Sequence, residues 1–102
     1  MDAIISGLLE DIKAEQQISP FLDDTPLKNY IKDGIFDIEN NVGFEIDFTK
    51  DLKARTLLKT YVLYANHKRL AEFKQLYGGE YIELQRKYYT NSLLQWWNFW
   101  NI

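Results

Sequence analysis

The side chains able to do chemistry are few and scattered. His67 is the only histidine and there is no cysteine, so neither a zinc set nor a thiolate nucleophile can be assembled. His67 stands among Asn66, Lys68 and Arg69, where a lone histidine reads as a surface residue and not as a general base. Asp23 and Asp24 form an adjacent carboxylate pair, but they precede a helix start and read as capping charge. The acidic stretch 33–47 does not follow the spacing of a calcium loop, and no glycine-rich phosphate loop is present. Gly78-Gly79 follows a helical pattern where a phosphate cradle would precede one. These residue types imply no enzyme: no catalytic residue, no cofactor and no metal. The remaining chemistry is aromatic. LLQWWNFWNI, residues 93–102, gathers Trp96, Trp97, Phe99 and Trp100 with Leu93 and Leu94. Such a segment closes a core, rests on a membrane surface or docks on a partner.

The elements that must hold these residues are helical. Ile5, Leu8, Leu9 and Ile12 fall at i, i+3, i+4 and i+7, one apolar stripe of a first helix. The stripe fades at Gln16-Gln17, and Ser19-Pro20 breaks it. A second helix is expected from Thr25 as N-cap and Pro26 at its first position, with Leu27, Tyr30, Ile31, Ile35 and Ile38 inward. Residues 39–51 change to period two, with Val42, Phe44, Ile46 and Phe48 alternating with Gly43, Glu45 and Asp47. They read as a long extended loop, either a flap over the core or a functional segment. Thr49 is the expected N-cap of a third helix, with Leu57, Leu58, Tyr61, Val62 and Ala65 on its inner face. The Asn66-His67 step marks either a kink or a short turn. Gly78-Gly79 is expected to end a helix, and a shorter one restarts with Tyr81, Ile82 and Leu84 inward. The helical pattern stops after Thr90.

The expectation is thus an all-α fold, a small bundle of about four helices. A long extended loop separates helices two and three, and an aromatic C-terminal tail follows. Residues 1–90 form the helical domain and residues 91–102 the tail. A length of 102 residues suits one domain, and 46% hydrophobic with 26% charged residues excludes both a disordered chain and a membrane span. Asp2, Glu10 and Asp11 stand where a secretory signal would be basic or apolar. No lysine or arginine falls in 90–102, which argues against a membrane-surface anchor.

The net charge of −3 conceals an asymmetry. Residues 1–51 hold 12 acids and 4 bases, while residues 52–102 hold 3 acids and 8 bases. The halves either neutralise each other within one domain or meet across a contact between copies, with Arg55, Lys59 and Arg69 as inter-subunit candidates. Arg55 and Lys59 share a helix face, and a basic face can also track phosphates. A small nucleic-acid-binding helical module is therefore the alternative reading. The acidic overall charge and the lack of a helix–turn–helix turn weigh against it.

The order of elements, and above all RTLLKTYVLYANHKRLAEF (Arg55–Phe73) with Tyr77 and Leu84 beyond it, resembles the head completion proteins of long-tailed bacteriophages. These are the adaptors, or head-to-tail connectors, of siphophages, and the likeness covers roughly residues 5–89. The resemblance implies a structural protein of the virion, made in the host cytoplasm. It would be a monomer alone and form a ring, typically of twelve copies, beneath the portal protein once DNA is packaged. It further implies that the ring extends the DNA channel without reading sequence and offers a platform to a stopper or tail completion protein. By position, Leu93, Leu94, Trp96, Trp97, Phe99 and Trp100 would meet the portal. The loop residues Glu39, Val42, Phe44, Glu45, Ile46 and Asp47 would face the channel or the stopper. No membrane contact is implied.

Overall fold

The computed structural model describes residues 2–19, 21 and 23–100. Among these the fold is all-helical, with α1 (Asp2–Glu15), α2 (Thr25–Val42), α3 (Leu52–Asn66), α4 (Leu70–Trp100) and no strand. The helices form where apolar residues recur every three or four positions. Ile5, Leu8, Leu9 and Ile12 of α1 are all buried, and Leu27, Ile31, Ile35 and Ile38 of α2 pack with Leu57, Leu58, Tyr61 and Val62 of α3. Two residues beyond α1, Gln17 with φ 52° reverses the chain, and Ile18 N–H donates to Lys13 O at 3.0 Å. Pro20, expected to break this region, lies outside the described residues.

Two glycines of the chain have opposite settings. A Cβ on Gly34 would lie 2.6 Å from Leu58 Cδ1 and 2.9 Å from Tyr61 Cδ1. Gly34 therefore lets α2 and α3 cross closely, which offsets its helix-propensity cost of about 1 kcal/mol. Gly43 ends α2 with φ +87°, a left-handed conformation that favours glycine, and its N–H donates to Glu39 O at 2.8 Å.

That cap corrects the boundary read from the period. α2 includes Glu39 and Val42, so the irregular segment is 43–51 and not 39–51. Val42 satisfies both patterns, as the last inward residue of the helix and the first of the alternation. The alternation itself holds in burial: Val42, Ile46 and Phe48 are buried, Phe44 is half-buried, and Glu45, Asp47 and Thr49 face outward.

Helix starts shift as well. Asp24 and not Thr25 occupies the cap position of α2, while Asp23 Oδ1 accepts from the N–H and hydroxyl of Thr25. Asp51 and not Thr49 caps α3, accepting from Ala54 N–H at 3.1 Å. Thr49 gives both its N–H and its hydroxyl to Asp47. The Asn66-His67 step is a turn between helices, closed by Lys68 at φ 60° and by Arg69 N–H donating to Tyr64 O at 2.8 Å.

The largest departure is α4. Gly78-Gly79 ends nothing, and the helix passes through both glycines and through Thr90 to Trp100. Its 31 residues make a rod about 46 Å long at 1.5 Å per residue. The flanking Leu76, Glu80, Glu83 and Leu84 are strong helix formers and carry the pair through. Of the expected inward residues, Tyr81 and Leu84 are buried, but Ile82 is 51% exposed. Phe73 anchors the rod. It is fully buried, with its ring centroid 5.4 Å from Tyr61, 5.2 Å from Tyr77 and 6.0 Å from Tyr81.

Candidate interaction site

Two carboxylates hold the first half of α4 to the bundle. Asp37 of α2 accepts from Tyr81 OH at 2.6 Å and pairs with Lys74. Asp51 accepts from Lys87 Nζ at 2.9 Å and Tyr88 OH at 2.7 Å while it caps α3. Each acid thus fastens a tyrosine and a lysine of α4. Burial works to raise the Asp51 carboxyl, but the hydrogen bonds from Ala54, Lys87 and Tyr88 outweigh it and hold the group below its ordinary 3.8. Burial, then hydrogen bonding to the acid, push the Tyr81 and Tyr88 phenols up.

Beyond Tyr88, which stacks on Phe44 at 6.1 Å, α4 leaves the bundle. Every described residue from Tyr89 to Trp100 is exposed. The large apolar side chains there run from 49% exposed at Leu93 to 74% at Phe99, with Trp96 at 62% and Trp100 at 65%. Trp96 and Trp100 tilt against each other at 5.7 Å, and Phe99 meets Trp100 edge-on at 6.0 Å. The aromatic segment is therefore a helical arm presented outward and is not folded onto the core. Asn101 and Ile102 lie outside the described residues. The arm continues α4 without a break across the division expected at residue 90.

The loop candidates separate. Val42 and Ile46 are core residues, Phe44 stacks on Tyr88, and Glu39 accepts from Ile46 N–H at 2.8 Å and so folds the loop. Glu45 and Asp47 are the two of the six that are exposed. Asp47 turns the segment: the Thr49 hydroxyl and N–H hold its carboxyl below the ordinary value. The basic candidates also find partners inside the chain. Arg55 pairs with Asp11, Lys59 with Glu15 at 2.8 Å, and Arg69 with Glu72. The first two pin α1 to α3, so acidic and basic halves meet within one domain.

Sequence reasoning missed Asp37 and Asp51 as the fasteners of α4. Thr49 was expected in the cap position that Asp51 holds, and the links of Asp51 to Lys87 and Tyr88 span 36 and 37 positions and leave no local signal. Among the described residues no cluster of three histidines or acids converges as a metal site, and no helix is long and apolar enough to cross a membrane. No protein-family model, curated protein or solved structure matches this chain.

Proposed function

We propose that the chain is a non-enzymatic structural adaptor of a phage neck. In this reading copies form a ring beneath the portal, extend the DNA channel and carry the stopper or tail. The observation that carries it is the aromatic arm: a rigid helix, clamped at its root by Asp37 and Asp51, that holds Trp96, Phe99 and Trp100 away from the bundle. Tryptophan and tyrosine concentrate binding energy at protein interfaces, and the arm lies where the resemblance puts the portal contact. Repetition around a ring multiplies weak individual contacts through avidity. Glu45 and Asp47 give the 43–51 loop an outward negative charge, which suits a surface past which DNA must slide. The nucleic-acid alternative loses support, because Arg55, Lys59, Lys74 and Lys87 are paired with carboxylates of the same chain.

Co-sedimentation with purified portal rings tests the reading. Wild-type protein should pellet with the rings, and Trp96→Ala/Trp100→Ala should stay in the supernatant while its bundle remains folded. Failure of the wild type to pellet at any ratio overturns the proposal.

A further inference from the structure

Gly78 and Gly79 sit in the middle of α4, and a Cβ added to either would meet nothing within 4 Å. Unlike Gly34, they serve no packing need inside the chain, yet each costs helix stability. Their place on the helix gives the reason. At 3.6 residues per turn, the bundle-facing residues Phe73, Tyr77, Tyr81, Leu84 and Tyr88 fall on one side. Ile82, Tyr89, Leu93, Trp96 and Trp100 form a second stripe, roughly 140° away around the rod. All five of these are large and exposed. Their spacing is 7, 4, 3 and 4, the alternation of a coiled-coil seam. Gly79 and Gln75 continue the same seam toward the start of α4, with Gly78 beside it. The seam is thus bulky at one end and bare at the other.

We propose that a second copy of this chain covers the seam, with the two α4 helices packed antiparallel about a two-fold axis near residues 87 and 88. In that register Trp96 of each copy lies over Gly79 of the other, Leu93 meets Ile82, and Trp100 meets Gln75. Tyr89 meets Arg86, whose guanidinium suits an aromatic face. The Trp96 indole of each copy falls where Gly79 of the other has no Cβ to displace, and the self-complementary patch closes as a dimer. Parallel pairing in register would instead set tryptophan on tryptophan and leave a gap between facing glycines.

The area suffices. The five stripe residues are about half to two-thirds exposed, which amounts to roughly 600–700 Å² per copy, within reach of the ~800 Å² per partner of a standard interface. Residues 88–100 contain no charged side chain, so no charge is desolvated on the arm and none repels a second copy. The same lack gives a lipid headgroup or a phosphate nothing to hold. An uncovered patch of this size is rare on a monomer. The inference stands independently of the adaptor reading, and it departs from the monomer that the resemblance implies outside the ring.

The test uses the purified chain alone. Sedimentation equilibrium over a concentration series should give a dimer. Gly79→Leu should weaken it by at least about 30-fold, because the overpacked layer occurs twice, and circular dichroism should show the helix intact. Because the chain has no cysteine, Ile82→Cys and Leu93→Cys report the register directly. An equimolar mixture should oxidise to a covalent heterodimer. Neither variant should cross-link alone, since like positions would lie on the order of 16 Å apart along the axis at 1.5 Å per residue. A monomer at all concentrations overturns the proposal, as does a dimer indifferent to Gly79→Leu. Cross-linking of Leu93→Cys to itself overturns the antiparallel register.

Discussion

Asp51 concentrates the most consequence in one side chain. It caps α3 and receives Lys87 and Tyr88 from α4, at a site where little water remains to replace them. Asp51→Ala should cost about 2–3 kcal/mol, combining a lost cap with an orphaned phenol. Thr49→Ala, at the cap position expected from sequence, should cost under about 1 kcal/mol because its bonds to Asp47 are exposed. Urea unfolding of the two variants separates them. The pH profile follows from the same groups. The Asp51 carboxyl is held below 3.8 in the fold, so its stabilisation is present above about pH 4 and is lost as pH falls through the lowered value. Tyr81 and Tyr88 are raised above 10, so their contribution is complete below pH 10 and fades as pH rises through the raised values. Thermal melts across pH should show a plateau between these limits, and Asp51→Asn should flatten its acid edge. The glycines differ in sign. Gly34→Ala drives a methyl onto Leu58 and Tyr61 and should destabilise by about 1–2 kcal/mol despite better propensity. Gly78→Ala, read on the monomer, should stabilise by about 0.5–1 kcal/mol.

At the scale of elements, α4 is two things in one helix: a core helix to Tyr88 and an arm beyond it. Ending the chain after Thr90 should therefore leave the unfolding free energy of the monomer within about 0.5 kcal/mol of the full chain. The ellipticity at 222 nm should fall by the share of helix removed. A large loss of stability would mean that the arm packs on its own bundle. Much of this architecture was legible in sequence. The inward faces of α1, α2 and α3 follow from period 3.6, and the burial of Val42, Phe44, Ile46 and Phe48 follows from period two. The continuity of α4 was not legible. Gly-Gly is a strong local stop signal, and the helix-forming flanks override it with tertiary help: Asp37 grips α4 at Lys74 and Tyr81 on either side of the glycines. The cap of α3 was misplaced at Thr49 because Thr49 and Asp51 are both cap-type residues two apart. The structure distinguishes them: Asp51 accepts from Ala54 N–H, while Thr49 is turned to Asp47.

For the whole molecule, the division of charge along the sequence becomes cohesion within the fold. Asp11 and Glu15 of α1 meet Arg55 and Lys59 of α3, and Asp37 and Asp51 meet Lys74 and Lys87 of α4. Four of the bases that could have faced DNA or a neighbouring copy are thereby paired inside the chain. The aromatic arm itself carries no charge, so association through it should depend little on salt. The salt-sensitive event is instead the docking of α1. A double-mutant cycle of Asp11→Ala and Arg55→Ala should give a coupling of about 0.5–1 kcal/mol, since both side chains keep some exposure. The exchanged pair Asp11→Arg/Arg55→Asp should recover part of the stability that either single reversal loses. Near 1 M salt, where the screening length is about 3 Å, the coupling should shrink toward zero while dimerisation through α4 persists. If the coupling were absent at low salt, the asymmetry between halves would be free to act between molecules, and Arg55 and Lys59 would return as contacts between copies.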